Sequence, residues 1–247
     1  MLCPRCGTLL IDTVPSISEL EKYYRDVYSP QRKGYVSNSY FQIMTRRALA
    51  QSRFLIPHLD LEGARVLDFG CGHGMLLDAL RQRGALTFGC DYDPICLEEI
   101  QVKGHQPVGS DIFDNGGLNF WDAVCLSHVL EHLSEPQDFL ARVRKQARIV
   151  FIEVPKYDPS RREQFSDQEG HLWFFSKAGV VALLEASGLR VKKLRVAGPP
   201  MWLFWGQSSL ARHFRNELRR MTGDYFFNQY DHTTRFGIWI RVIAEGE

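Results

Sequence analysis

From residue 64 onward, short apolar runs rich in β-branched and aromatic residues alternate with amphipathic stretches at helical spacing. The apolar runs are ARVLDF (64–69), ALTFGCD (85–91), HQPVGSD (105–111), FWDAVCLS (120–127), RIVFIEV (148–154), LRVKKLRVA (189–197) and FGIWIRVIA (236–244). Helical patterns cover 75–83, 94–103, 135–147 and 176–187, the last closed by Gly188, a helix-terminating glycine. This alternation predicts an α/β fold around a largely parallel sheet. Upstream the pattern changes. Residues 1–15 read as a cysteine-bearing flap. Residues 17–28 read as a helix in which Ser18 and Glu21, three apart, form a capping box. A second helix is expected over 40–56, stopping at Pro57. The aromatic, arginine-rich segment 198–235 interrupts the last two strands as an added lid or surface helix. The organisation expected is therefore an N-terminal flap and Tyr-rich helix over 1–40, and a main domain over 41–247 that carries the insertion.

Composition narrows the class. The chain has 247 residues, enough for one large domain with a small appendage, and its formal net charge of +1 creates no field that demands nucleic acid. No apolar run reaches the roughly 20 residues that span a bilayer. The opening MLCPRCG has no basic start followed by an apolar stretch, so no secretory signal is read there, and a cytoplasmic location is expected. Of the six cysteines only Cys3 and Cys6 are paired as C-x-x-C; Cys71, Cys90, Cys96 and Cys125 lie singly in apolar or glycine-rich segments and read as buried free thiols.

The strongest local signal is VLDFGCGHGMLLDAL, residues 66–80. An apolar strand runs into Asp68, then Gly70, Gly72 and Gly74, then a helical pattern. The glycines allow a tight turn and close approach of a ligand to the backbone. This describes a nucleotide-type site at the carboxyl end of a first strand. The dinucleotide fingerprint fails, because Met75 stands where its third glycine belongs, and no G-K-[ST] of a phosphate loop is present. An acid beside the loop repels a pyrophosphate and suits an ammonium or sulfonium. Asp91, at the end of the second strand, can accept from a ribose diol. Asp111, at the end of the third, can accept from an adenine amine. These three acids describe a ligand with adenine, ribose and a cationic amino-acid tail, which S-adenosylmethionine fits.

With the D-x-G-x-G-x-G loop, an acid after each of the next two strands, and S-x-V-L-E-H at 127–132, residues 64–197 resemble a class I S-adenosylmethionine-dependent methyltransferase. The resemblance implies a Rossmann-like doubly wound sheet of seven strands, helices on both faces and the last strand antiparallel. It implies a cofactor site of Asp68, Gly70, Cys71, Gly72, Gly74, Asp91, Tyr92, Asp111, Ile112, Ser127 and His128. Asp68 and Gly70 would face the methionine end, Asp91 the ribose and Asp111 with Ile112 the adenine, while Ser127 and His128 would flank the sulfonium.

SHVLEHL, residues 127–133, contains His128, Glu131 and His132 in the H-x-x-E-H spacing of a zinc peptidase. That chemistry needs a long helix, whereas FWDAVCLS just upstream is a strand run. Ser134 and Gln137 read as a capping box with Pro136 in the first turn, so a helix starts near 135. The motif therefore lies in the strand-to-helix connection. Three roles stay open for it. In the first, His128 shapes the pocket while Glu131 and His132 are structural; in the second, His128, Glu131, His132 and His171 hold a divalent metal; in the third, His128 or His171 is a general base. The metal reading follows from likeness to ubiquinone-pathway O-methyltransferases, which carry E-x-x-E-H here and a downstream H-x-W-x-x-F like HLWFF at 171–175. Histidine in place of the first glutamate favours zinc or iron over magnesium.

The ends of the chain add less. CPRCG at 3–7 resembles the second half of a zinc ribbon found ahead of some sugar and natural-product methyltransferases; with two ligands of four it reads as two free thiols, or as one hook of a zinc shared by a dimer. Tyr28 and Tyr40 are candidate cofactor-covering aromatics. Segment 201–221, with Arg212, Arg215, Arg219 and Arg220, reads as a lid ahead of a solvated helix or a membrane contact. The function expected is methyl transfer to a small-molecule acceptor, O-methylation of a sugar, polyketide-like or quinone-like compound, with no nucleic-acid partner. The alternative is a cofactor-binding partner protein without transfer activity. Oligomeric state is not legible.

Overall fold

The computed structural model describes residues 1–23, 26, 38–109, 113, 120–157, 170–200 and 237–246. After a short strand β1 (Leu9–Leu10) come helices α1 (Ile17–Tyr23) and α2 (Asn38–Leu55). The alternating part then runs β2 (Arg65–Phe69), α3 (Met75–Arg81), β3 (Leu86–Cys90), α4 (Pro94–Val102), β4 (Gln106–Pro107), β5 (Trp121–Ser127), α5 (Pro136–Arg144) and β6 (Ala147–Pro155). It ends with β7 (Trp173–Phe174), α6 (Lys177–Ala186), β8 (Leu189–Pro200) and β9 (Gly237–Gly246).

Seven strands form one sheet in the order β4-β3-β2-β5-β6-β9-β8. Strands β2 to β6 are parallel, and β9 runs antiparallel between β6 and β8. The central strands are buried on both faces, as parallel strands under helices must be. Along β5, Val124 and Leu126 face one core with Phe139 and Leu140 of α5 and Val180 and Leu184 of α6. Ala123 and Cys125 face the opposite core with Ala48 and Phe54 of α2 and Leu76 and Leu80 of α3. This period-two division is what places helices on both faces. The cysteines outside the N-terminal pair are buried thiols that form no disulfide among the described residues, as expected.

Two local expectations are corrected. The capping box of α1 is Ser16 with Glu19, not Ser18 with Glu21: Ser16 N–H and Oγ both donate to Glu19 Oε2, at 2.8 and 2.7 Å. The α5 box does not form; Glu135 occupies the N-cap without a side-chain bond, and Gln137 donates instead to Ala186 O. Residues of the N-terminal flap join the rest of the chain through β1, which pairs antiparallel with β7. Among the described residues no helix is long and apolar enough to cross a membrane. Segment 201–221 and Tyr28 lie outside the described residues.

Candidate active site

Strand β2 delivers Asp68 and then turns. Gly70, Gly72 and Gly74 all take positive φ, at 76°, 50° and 77°, where a side chain would be strained. The N–H groups of Gly70 and Cys71 both donate to Cys90 O at the end of β3, at 2.8 and 3.0 Å, and so fasten the loop. Asp91, the next residue, accepts Gly72 N–H on Oδ2 at 2.8 Å and Asp93 N–H on Oδ1 at 2.9 Å. It therefore shapes the glycine loop as well as lining it. A Cβ on Gly72 would meet nothing within 4 Å among the described residues, so among them this loop face is open for a ligand. A Cβ on Gly70 would fall 2.8 Å from Val129 Cγ2, so this glycine is what lets the loop approach the segment after β5.

Asp68 is 3% exposed, and its Oδ1 takes no hydrogen bond among the described residues. Burial, and secondarily the charge of Asp91, pushes its carboxyl up to about 8, with Arg47 opposing. A buried carboxyl short of a partner at an open loop fits an ammonium group. Cys71 is buried and its thiol is pushed up by burial, so it packs rather than reacts. Tyr92 stands exposed at the rim. The loop corner His73 contacts Glu99 through Nδ1 at 2.5 Å and packs under the rings of Phe41 and Tyr40, at 5.4 and 6.4 Å between centroids. Tyr40 thus reaches the corner of the glycine loop. Asp111 and Ile112 lie outside the described residues.

At the end of β5, Ser127 Oγ accepts from Arg47 Nη2 at 3.0 Å and Gln51 Nε2 at 2.8 Å, both reaching down from α2. The same two side chains donate to Glu153 Oε1 on β6, at 2.6 and 2.9 Å, and Arg241 Nε on β9 donates to Glu153 Oε2. Burial pushes the Glu153 carboxyl up, but Arg47 and Arg241 outweigh it and hold the group below the ordinary carboxylate range. The Arg47 guanidinium lies over Trp239, 4.9 Å from the ring centre. Sequence reading missed this network. Its signal was a lone acid in RIVFIEV and a lone arginine in FGIWIRVIA, opposite charges that turn out to be register partners.

His128 follows with φ 57°, the one described non-glycine residue at positive φ, held by its N–H on Glu153 O at 2.8 Å. Next comes a single 3-10 turn, Leu130–His132. A peptidase helix is thereby ruled out. Glu131 is fully buried; His128 Nδ1 lies 3.2 Å from its Oε1, but neither Glu131 oxygen takes a hydrogen bond among the described residues. Burial pushes the Glu131 carboxyl up to about 8. His132 Nδ1 contacts Gly170 O at 2.9 Å; a carbonyl only accepts, so this nitrogen carries the proton and the lone pair is on Nε2. His171 lies beside it, ring centroids 4.6 Å apart, just before Leu172, whose N–H donates to Glu131 O at 2.7 Å. Burial pushes all three imidazoles down, His171 to about 4, so they are neutral at neutral pH. Ligand atoms of Glu131, His132 and His171 lie within 4.8 Å of one another, a group that could hold a metal ion. His128, expected as a fourth ligand, flanks Glu131 outside this group.

Residues 40–194 match the family model described as a methyltransferase domain. The chain belongs to that family. The ubiquinone biosynthesis O-methyltransferase of Alkalilimnicola ehrlichii is 34% identical over 99 residues, covering 36% of this chain and 38% of that protein. The tRNA U34 carboxymethyltransferase of Pseudoalteromonas translucida is 34% identical over 105 residues, covering 38% and 32%. The chain thus spans well under half the length of these relatives. In three dimensions it is similar to the magnesium protoporphyrin IX methyltransferase of Synechocystis, solved with bound S-adenosylhomocysteine, with a TM-score of 0.59, 19% identity, and coverage of 94% of this chain and 100% of that one. For this methyltransferase-family chain, that likeness carries the Rossmann-like fold.

Proposed function

We propose that the protein transfers a methyl group from S-adenosylmethionine to an oxygen of a small-molecule acceptor of sugar, polyketide-like or quinone-like type. The observation that carries the cofactor half is Asp68, a buried carboxyl without a hydrogen bond on Oδ1 beside a glycine loop whose face at Gly72 is open. S-adenosylmethionine would supply an already activated methyl on a sulfonium. Asp68 would hold its ammonium, and Asp91 the ribose while bracing the loop. Arg47 is the cation near Asp68 and suits the carboxylate of the same amino-acid end. Asp111 and Ile112 complete the set for adenine. Ser127 and His128 would flank the reacting methyl, the first fixed by Arg47 and Gln51 and the second by its backbone bond to Glu153.

Transfer needs alignment of acceptor, methyl and sulfur, and exclusion of water, more than it needs a strong base. His128 Nε2 has no hydrogen bond among the described residues and would face the acceptor; burial and neighbouring cations hold the imidazole well below its ordinary range, so it would act as a weak base. Glu131, His132 and His171 would hold a divalent zinc or iron ion, their donor set being one carboxylate and two neutral imidazoles. Such an ion would polarise the acceptor oxygen. Because His171 belongs to this group, His128 is the better base.

The test is incubation with methyl-labelled S-adenosylmethionine and a fractionated cell extract. Label in an organic fraction supports a quinone-like acceptor; label in the aqueous small-molecule fraction supports a sugar or soluble metabolite. Label only in RNA overturns the small-molecule reading. No label anywhere, with cofactor binding intact, leaves the non-transferring partner protein.

A further inference from the structure

Arg47, the cation suited to the carboxylate of the cofactor, does not have a counter-ion to itself. Glu153 is fully buried and held ionised, and two guanidiniums claim its negative charge. Arg241 Nε donates to Oε2. Arg47 is confined to Oε1, which its Nε and Nη2 approach to 2.6 and 2.5 Å, and there Gln51 Nε2 competes at 2.9 Å. A guanidinium with a carboxylate to itself can span both oxygens as a fork. Here the second oxygen is taken, so Arg47 keeps a share of uncompensated charge, and that charge is felt at Asp68. Among the described residues its Nη1 contacts Met44 Sδ at 4.0 Å, and a thioether sulfur is a weak acceptor.

Arg241 is the member of this group that stability does not explain. It is fully buried on β9, in register with Glu153 of β6. Apolar side chains in place of a buried ion pair are often neutral or stabilising, because no charge is then taken out of water. The fold nevertheless brings a second cation to a carboxylate that already has one. Trp239, on the same strand, makes the crowding tolerable. Its ring centre lies 4.9 Å from the Arg47 guanidinium and 5.8 Å from that of Arg241, and a ring face attracts both cations. Glu153, Arg47 and Arg241 together thus carry more positive than negative charge, and Arg47 is the one that reaches toward the glycine loop.

We propose that Arg241 is a positioning residue for cofactor binding: by holding the second oxygen of Glu153 it keeps Arg47 from closing on that carboxylate, and so leaves the Arg47 Nη1 edge to the carboxylate of the cofactor. This rests on S-adenosylmethionine being the cofactor. Arg241 itself touches no part of the ligand; it acts through the charge and the aim of Arg47. The site thereby selects for the carboxylate of the amino-acid end, and not for adenosine and ammonium alone.

The test is calorimetric titration of the full chain with two probes, S-adenosylhomocysteine and its decarboxylated form, which keeps the adenosine, sulfur and ammonium. Arg241→Met frees Oε2 and lets Arg47 close on both oxygens of Glu153. Affinity for S-adenosylhomocysteine should then fall by about tenfold or more, the scale of one charge-assisted hydrogen bond, while affinity for the decarboxylated probe does not fall. Arg241→Lys, which keeps a cation on that oxygen, should retain the native preference. Arg241→Met combined with Glu153→Gln removes one cation and one anion together; Arg47 keeps Ser127 Oγ and its full charge, and affinity for S-adenosylhomocysteine should return to the native level. This double variant leaves no buried carboxylate short of a partner, so it decides the matter even where the single variant does not fold. Equal weakening of both probes by Arg241→Met, no weakening of either, or a double variant without preference for the carboxylate-bearing probe would each overturn the proposal. A native chain that binds neither probe would overturn the cofactor reading, and this proposal with it.

Discussion

At the scale of single residues, Asp68 makes the sharpest demand. In the free protein its carboxyl is pushed up to about 8 by burial, so at pH 6 to 7 it carries a proton. A bound ammonium favours the ionised form, and binding must expel that proton. Affinity for S-adenosylhomocysteine should therefore rise with pH, by up to about tenfold per unit between pH 6 and 8, and level off above. Calorimetric titration across that range checks it, and Asp68→Asn should bind weakly with the slope gone. The stability sign is opposite. An acid whose folded pKa is raised adds stability that is present at low pH and lost as pH rises from its unfolded value toward about 8. Asp68→Asn should thus gain on the native chain as pH rises from 5 to 8, read from urea midpoints; a parallel loss at both pH values would mean the side chain is structural. Asp91→Ala should weaken the same ligand by about 1.5–3 kcal/mol, since it removes charge-assisted hydrogen bonds. Part of that loss will come through the loop, because Asp91 holds Gly72 N–H.

Between elements, the Glu153 network ties α2, β5, β6 and β9 together below the site. Arg241 is fully buried opposite Glu153 in register, so removing it leaves a buried carboxylate with one guanidinium fewer. Arg241→Met should cost about 3–5 kcal/mol, the usual effect of breaking a buried pair, and a denaturant midpoint will show it. This network also marks where the sequence was legible and where it was not. Strands β2, β3, β5 and β6 were readable because strands buried on both faces are written as continuous apolar runs. The short turn in SHVLEHL was readable because a strand run ends directly before it. Capping was misread where two frames overlap: SISELE offers Ser16 with Glu19 and Ser18 with Glu21. The earlier frame holds because the first helical bond, Leu20 N–H to Ser16 O at 3.0 Å, is already made. Arg47 and Gln51 were invisible because their partners lie 76 to 106 residues away. Nothing local marks a helix arginine as the one that turns inward.

Across the whole molecule, β5 separates the two proposed sites, which meet at its carboxyl end. On one side are the glycine loop, Asp68 and Asp91, fastened to β3. On the other is the cluster of Glu131, His132 and His171, and its third member comes from the stretch that runs into β7. Strand β7 has two residues and among the described strands pairs with β1, while Trp173 Nε1 donates to Leu133 O at 2.7 Å, so the N-terminal hairpin braces the His171 segment together with the 3-10 turn. Leu9 and Ile11 pack on Tyr157 and Phe174, and Ile11 N–H donates to Leu172 O at 3.0 Å. Loosening that brace should therefore disturb metal binding and spare cofactor binding. Leu9→Asp introduces a charge into the apolar contact without touching a proposed ligand of either site. Its affinity for Mn2+, an ion that favours oxygen and nitrogen over thiolate, should fall by about 10-fold or more, as loss of supporting structure around metal ligands does. Its affinity for S-adenosylhomocysteine should stay within about twofold, because sites without shared partners behave independently. Electron paramagnetic resonance of free Mn2+ and calorimetry of the cofactor product read the two sites separately. Equal losses in both would mean that the hairpin supports the whole sheet and that the sites are not independent. No loss in either would mean that His171 is held by Leu172 and the 3-10 turn alone.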